Sequence, residues 1–399
     1  MIKSKAKFIF FILFSFNISI LFSQQISEEY INFVTGSLED KTQVLSSLTI
    51  TAETDKLTAS LPMEAINYIT KNIPVIGNVP GFADLALVTV PFVQPNTVEN
   101  ASKLWQVFNL INDDELHTLI LSSFKEVAPI SKNIILPYLP DIHTFVAESI
   151  ATNKEEDLAL IQAIELLEIM TDPSSFDLLF RIALNNQIES VNSAAVKAVN
   201  TIITNSQNSI IRFMSKETTS IEEKKFLFTL TQNNEKISSF LKAEMAEKAL
   251  SATIIDIEDY SKIPSDVIEL QLLAVKEIAK STWTRAAPTV AKYFAVAQKE
   301  FEANLISETD FIEIINCLEI LVTSYSSAAL SDYLSILNSQ MASPDATIPC
   351  SEQVILAVIN ALGALGDKAA FDNLLYVTYL PYPDTLVTAA RNALANLKW

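Results

Sequence analysis

Histidine and cysteine are scarce in this chain, with two residues of each among 399. Two histidines are too few for a histidine-rich metal cage. Two cysteines exclude an array of small domains held together by disulfides. Cys317 lies in an apolar helical stretch and is predicted to be a small buried side chain, whereas Cys350 follows a proline in a loop. A disulfide between the two is an alternative that the sequence leaves open.

The motifs of common catalytic sites are missing as well. No Gly-x-Ser-x-Gly elbow and no phosphate-binding loop occur. His117 lies four residues after Asp113, and His143 lies two residues after Asp141. Such neighbours are ordinary surface pairs in helical proteins. We therefore predict no catalytic residue, no cofactor and no metal site.

Glycine is rare, with five residues, while 49% of the chain is hydrophobic. Long stretches rich in Ala, Leu, Ile and Glu indicate helices, and few glycines remain for turns between strands. The sequence therefore predicts an all-α protein with little sheet.

The most informative feature that is present is an internal repeat. Residues 159–202 align without a gap with residues 354–397, at a constant offset of 195, and nine of the 44 positions are identical. The identical pairs are Ile164 and Ile359, Leu167 and Leu362, Asp172 and Asp367, Phe176 and Phe371, Asp177 and Asp372, Leu179 and Leu374, Ala194 and Ala389, Ala195 and Ala390, and Ala198 and Ala393. They occupy apolar helix positions and the acidic turn between helices. This pattern predicts an α-solenoid of stacked antiparallel helix pairs, a HEAT/armadillo-like superhelix.

Local signals predict where helices begin and end. Asp172 is followed by proline and is predicted to cap a helix N-terminus. Gly366 is predicted to end a helix in the left-handed conformation, just before the capping residue Asp367. Thr152 and Ser307 each precede an acidic residue by three positions, and both are predicted to begin helices as capping boxes.

Three stretches carry a family resemblance. They are Ala361-Leu362-Gly363-Ala364-Leu365-Gly366-Asp367, then Phe371, Leu374 and Leu375, then Ala389-Ala390-Arg391-Asn392-Ala393-Leu394. With these residues the chain resembles the HEAT-repeat superfamily, in particular the HEAT-like repeats of the phycobilisome-lyase type, most strongly over 155–203 and 351–399. The resemblance implies repeats of two antiparallel helices whose curved stack binds partners. It does not imply lyase chemistry, because many non-catalytic scaffolds share the repeat.

The N-terminus resembles a secretory signal peptide. Lys3, Lys5 and Lys7 precede an apolar run of 15 residues that ends at Phe22, so we predict a signal peptide over 1–23. A permanent anchor is the less favoured alternative, because a spanning helix needs roughly 20 residues. The mature chain is thus expected to be periplasmic, secreted or on the cell surface of a bacterial envelope.

Acidic residues outnumber basic ones. Without the three leader lysines, 25 basic residues face 47 acidic ones, which gives the mature chain a net charge of −22. Such a surface repels nucleic-acid phosphates and anionic lipid head groups. We therefore predict no nucleic-acid partner.

The mature chain is predicted to have two regions. Residues 24–150 form an irregular helical region with an apolar loop at 73–96, which contains four prolines and two glycines, and residues 151–399 form the HEAT-like array, with a break near 251–264 as an option. The loop is expected to pack over the first repeats. The alternative is a docking element for a protein or a membrane surface.

The function predicted from these features is an exported, non-catalytic HEAT-like scaffold that binds a protein partner. The candidate partner-binding residues are Phe82 and Phe92 in segment 73–96, together with Tyr376, Tyr379 and Tyr382 at a predicted turn. The alternative is an enzyme or enzyme subunit, a lyase-like or hydrolytic factor with an unrecognised acidic site. The oligomeric state and the identity of the partner stay open.

Overall fold

The protein is all-α wherever the structure describes it. The computed structural model describes residues 27–152, 157–254, 262–343 and 348–398, and these ranges contain helices and no strand. One isolated bridge pairs Asp367 with Lys398, whose N–H donates to the carbonyl oxygen of Gly366 at 2.8 Å. The predicted all-α class is confirmed. The predicted signal peptide lies outside the described residues.

The chain forms two compact units, one ending at Val199 and one beginning at Asn200. The α-helices that begin in the first unit are α1 (Glu28–Thr35), α2 (Leu38–Ser46), α3 (Lys56–Ile76), α4 (Pro80–Thr89), α5 (Val98–Leu110), α6 (Asp114–Val127), α7 (Lys132–Ile135), α8 (Leu139–Thr152), α9 (Leu158–Met170), α10 (Phe176–Asn185) and α11 (Glu189–Ile202). Those of the second are α12 (Gln207–Ser215), α13 (Ile221–Asn233), α14 (Ser239–Thr253), α15 (Ser265–Lys280), α16 (Ala287–Glu302), α17 (Glu308–Leu321), α18 (Ser324–Met341), α19 (Glu352–Leu365), α20 (Phe371–Val377) and α21 (Asp384–Ala395). The predicted regions 24–150 and 151–399 stay predictions, and part of the suggested break at 251–264 lies outside the described residues.

The predicted loop at 73–96 is largely helical, so that prediction was wrong. Helix α3 extends to Ile76 and ends at Gly77, whose φ of 83° suits glycine. Helix α4 follows with Pro80 as its first residue, and a short 3₁₀ helix then spans Val90–Phe92. Proline at the first helical position lacks an N–H that would have no intrahelical partner anyway, so it begins this helix rather than interrupting one.

The two copies of the repeat end their first helix in the same way. Helix α9 is followed by left-handed Thr171, and helix α19 by left-handed Gly366. The next residue caps the following turn in both copies. Oδ1 of Asp172 accepts a hydrogen bond from the N–H of Ser174 at 2.8 Å, and Oδ1 of Asp367 accepts one from the N–H of Ala369 at 2.9 Å. The predicted caps at Asp172, Gly366 and Asp367 are confirmed.

The helix boundaries that follow also keep the offset of 195. A 3₁₀ helix over Pro173–Ser175 matches one over Lys368–Ala370. The second helices, α10 and α20, begin at the equivalent residues Phe176 and Phe371, and the third helices, α11 and α21, begin at Glu189 and Asp384. The sequence repeat is therefore also a repeat of local structure.

Helices of the second unit contact each other in a regular order. Helices α15, α17 and α19 begin at Ser265, Glu308 and Glu352, which are 43 and 44 residues apart, and each contacts the next. Helices α16, α18 and α20 also contact each other in succession. Between α15 and α17, Lys276 lies 3.2 Å from Glu313. That pair is about half exposed, so it adds little stability and the helices are held together chiefly by apolar packing.

Candidate partner-binding surface

The second unit carries an open groove between helices α16 and α18, with a volume of about 420 Å³. We call it the α16–α18 groove. Helix α16 contributes Pro288, Ala291, Lys292, Phe294, Ala295 and Gln298, and helix α18 contributes Tyr325, Ala328, Ala329, Asp332, Tyr333 and Ile336. Small alanine side chains at four-residue spacing on α16 leave room between the helices, because residues four apart share one helix face.

The floor of this groove is held by packed aromatic rings. Phe294 stacks against Phe311, with ring centroids 5.5 Å apart, and Tyr333 meets Phe311 edge to face at 5.8 Å. Phe294 and Phe311 are fully buried. Burial also raises the pKa of Tyr333, so its phenol is neutral. The groove is thus a preformed feature with a stiff floor.

The rim of the groove exposes apolar side chains to solvent. Tyr325 is 57% exposed and Ile336 is 50% exposed. Lys292 and Asp332 supply one charge of each sign. An apolar rim with balanced charge suits a protein surface or an amphipathic helix rather than a polyanion.

Two of the predicted binding residues lie on, or just after, the helix next to α18. Tyr376 is 46% exposed on α20, and Tyr379, just beyond the end of α20, is 76% exposed. Helices α18 and α20 are joined by side-chain amides: Nδ2 of Asn338 donates to the carbonyl oxygen of Asn373 at 2.9 Å, and Nδ2 of Asn373 donates to that of Ser331 at 3.0 Å. Tyr376 therefore belongs to a helix that is fixed against one wall of the groove, and Tyr379 follows that helix directly.

The other predicted binding residues lie elsewhere. Phe82 is buried in the first unit and packs near Tyr68, with ring centroids 6.1 Å apart. Tyr382 is also buried, and burial raises its pKa. These two side chains belong to the core rather than to a binding surface. Phe92 is 37% exposed at the end of the short 3₁₀ helix in the first unit.

Each of the two histidines lies within hydrogen-bonding distance of other groups of the fold. Nε2 of His117 lies 3.0 Å from the carbonyl oxygens of both Phe108 and Ile111, and its ring stacks on Phe108. His117 is buried, and it satisfies carbonyl groups at the C-terminus of α5. Asp113, which the sequence placed beside it, instead caps α6 by accepting from the N–H of Leu116 at 2.9 Å.

His143 lies near a serine and an aspartate, the residue types of a hydrolytic triad. Its Nε2 is 2.8 Å from Oγ of Ser175, and burial lowers the pKa of His143, an effect that the charge of Asp172 partly opposes. Ser175 is fully buried, however, so a substrate does not reach its hydroxyl. Asp172 caps the turn through Ser174. This arrangement lacks the exposed nucleophile that a triad needs.

Both cysteines are free thiols. Cys317 is fully buried, as predicted, and burial raises its pKa to about 12. Burial raises the pKa of Cys350 to about 11. Because the thiolate is the reactive form, neither cysteine is activated for nucleophilic chemistry in this structure.

Within the described residues, no group of three or more His, Cys, Asp or Glu side chains is placed to hold a metal ion. None of the helices in those ranges combines the length and the apolar character needed to cross a membrane.

Comparison with known proteins adds little. No family model matches this chain. No curated protein matches it. Among solved structures, the crystal structure of an engineered protein aligns with 92% of this chain and 98% of its own length, at 12% identity and a TM-score of 0.35. That TM-score is too low to support an argument about fold or function.

Sequence reasoning missed Tyr325 and Ile336. The sequence does carry one signal for Ile336: it is an apolar residue that falls outside the helical spacing of the core residues, because it stands between the buried residues Leu334 and Leu337. It could not be interpreted without knowing which helix packs beside α18. The groove arises from the pairing of α16 with α18, which is a property of the packing.

Proposed function

We propose that this protein is an exported, non-catalytic scaffold of the HEAT-like repeat type, an α-solenoid that binds a protein partner through the α16–α18 groove. The observation that carries the proposal is the groove itself, with its stiff aromatic floor and its exposed rim of Tyr325 and Ile336. Exposed apolar side chains around a preformed cleft are typical of protein-binding sites.

The repeated architecture supports this function. The equivalent helix boundaries at an offset of 195, and the ordered contacts among α15, α17 and α19, are what a stack of repeats would produce. In such stacks, successive second helices make a continuous surface for a partner. Tyr376 and Tyr379 would extend that surface along α20.

The charge of the chain supports a protein partner that is neutral or basic. Its acidic surface disfavours nucleic acid and anionic lipid. Membrane contact through segment 73–96 is the less favoured option, because α4 buries Phe82, Leu85 and Ala86 in the core.

Matched isoleucine variants test the function. Ile336→Ala removes an exposed side chain from the groove rim, and Ile320→Ala removes one that is 43% exposed on helix α17, outside the groove. After mild crosslinking in the native cell envelope, we expect the wild type and Ile320→Ala to recover the same protein and Ile336→Ala to lose it. Equal recovery by both variants would remove the groove from the binding surface.

A further inference from the structure

The first unit carries a second groove, with a volume of about 670 Å³, between helices α8 and α10 and the connection that follows α10. We call it the α8–α10 groove. Its apolar lining consists of Ala147, Ile150, Leu178, Ile182 and Ile188. Its polar lining consists of Arg181, Asn185, Asn186 and Gln187. The groove thus combines a hydrophobic floor with one cation and three amides, and no carboxylate lines it.

Arg181 has no partner within the described part of the chain. Its side chain is exposed and makes no ion pair or hydrogen bond there. Asp177 lies one turn earlier on α10 but does not line the groove. By contrast, Arg285 lies 3.2 Å from Glu244 and 3.4 Å from Glu247. An unpaired guanidinium beside an apolar groove is a ready site for a carboxylate, which it can bind through two parallel hydrogen bonds.

The amides beside Arg181 are held in place by the main chain. Nδ2 of Asn185 donates to the carbonyl oxygen of Arg181 at 3.2 Å, and Oδ1 of Asn186 accepts from the N–H of Ile188 at 2.8 Å. Nδ2 of Asn192, on α11, donates to the carbonyl oxygen of Ala183 at 2.7 Å and to that of Asn186 in the connection at 3.3 Å. The other ends of the Asn185 and Asn186 amides make no hydrogen bond to the described residues, so the rim offers both a donor and an acceptor to a ligand.

We propose that the α8–α10 groove binds the C-terminal end of a peptide or protein whose last residues are apolar. Arg181 binds the terminal carboxylate, the amides of Asn185, Asn186 and Gln187 pair with the ligand main chain, and the apolar side chains lie on the floor. The amides favour a peptide over a fatty acid, because an acyl chain has no groups for them to bind. This site is separate from the α16–α18 groove and does not depend on its function.

The test uses a library of short peptides whose last three residues are apolar, made both with a free C-terminal carboxylate and as the C-terminal amide. Binding to the full-length protein is measured by fluorescence anisotropy of the labelled peptides. We expect the acid forms to bind roughly tenfold to a hundredfold more tightly than the amides, the range of a charge-assisted hydrogen bond. Arg181→Gln should remove that difference without changing the weaker binding of the amides.

Two further variants and one competitor make the test decisive. Arg212 is exposed on α12 and does not line the groove, so Arg212→Gln is the matched control and should bind like the wild type. Ala147 is exposed, and Ala147→Trp should fill the groove and abolish binding of both forms without entering the core. The proposal is overturned if acids and amides bind equally, if neither binds, if Arg181→Gln leaves the preference intact, or if decanoate competes as well as the best peptide.

Discussion

Glu300 is a buried carboxyl group whose titration should set the pH dependence of the second unit. It is fully buried on α16, and Oε2 accepts a hydrogen bond from the hydroxyl of Tyr293 at 3.2 Å. Gln271 supplies a second hydrogen bond, but Oε1 of Glu300 has no partner within the described residues. Burial outweighs these hydrogen bonds and raises the pKa of Glu300 to about 7 from its usual 4.5.

This shift has a defined effect on stability. Below about pH 4.5 the carboxyl group is protonated in both the folded and the unfolded chain, so it contributes no pH dependence. As the pH rises towards 7, the unfolded chain releases the proton while the folded chain retains it, and stability falls. Each pKa unit corresponds to about 1.4 kcal/mol, so we expect a loss of about 3 kcal/mol that is complete slightly above pH 7.

Glu300→Gln should abolish this dependence. Oε1 of Gln271 is buried without a partner, so it can accept a hydrogen bond from the new amide. We would measure denaturant unfolding at a series of pH values in a Trp105→Phe background, where the remaining tryptophans, Trp283 and Trp399, both belong to the second unit. The difference between Glu300 and Glu300→Gln isolates this one group from other carboxylates. If the two stability curves run parallel from about pH 4.5 to about pH 8, the reasoning is wrong.

Three smaller predictions concern stability and reactivity. Phe176 is 2% exposed, whereas Phe371 is only partly buried. Measured by thermal unfolding, Phe176→Ala should therefore lower the free energy of unfolding by about 3 to 5 kcal/mol and Phe371→Ala by clearly less. Equal losses of stability would contradict this. Val322 is 68% exposed, and its φ of 47° is a left-handed conformation that strains a β-branched residue. Val322→Gly should relieve this strain and raise the free energy of unfolding by about 1 kcal/mol. A lower stability of this variant in denaturant unfolding would contradict the prediction. Cys350, with a pKa of about 11, should react with iodoacetamide near neutral pH roughly a hundredfold more slowly than free cysteine, and a rate like that of free cysteine would show that its pKa is not raised.

Local chemistry made the turn of the repeat predictable. Asp172 is followed by proline and Asp367 is preceded by glycine, and each aspartate caps a turn by accepting a hydrogen bond from a nearby backbone N–H. Both caps therefore lie where the sequence predicts them. Ser307 also caps its helix, by accepting from the N–H of Asp310 at 3.1 Å. Each of these features involves residues within one turn.

Predictions failed where the same signal has two meanings. Thr152 was expected to begin a helix, but it ends α8, and its hydroxyl donates to the carbonyl oxygen of Glu148 at 2.9 Å. Asp157 is the residue that caps the next helix. From the sequence alone, the prolines of segment 73–96 indicate interruptions of the helices, whereas in the structure Pro80 begins α4. Position within the helix decides the effect of a polar cap or a proline, and that position depends on packing.

The candidate binding surfaces could be predicted only in part from the sequence. Tyr376 and Tyr379 are exposed, as a binding role requires; Tyr376 lies in the last turn of α20, and Tyr379 lies two residues beyond its end. Phe82 is buried because α4 forms and turns its apolar face inward. Both grooves arise between helices whose first residues are 37 positions apart in sequence, so no local pattern could indicate them.

The central claim, that the α16–α18 groove holds a protein partner, can be tested directly by site-specific photocrosslinking in the cells that produce the protein. A photoreactive amino acid would replace Ala328 on the groove and, as the control, Asn316, which is exposed on α17 outside it. We expect one discrete crosslinked protein from position 328, lost on adding Ile336→Ala, and none from position 316. No crosslink at position 328, or the same products from both positions, would contradict the claim.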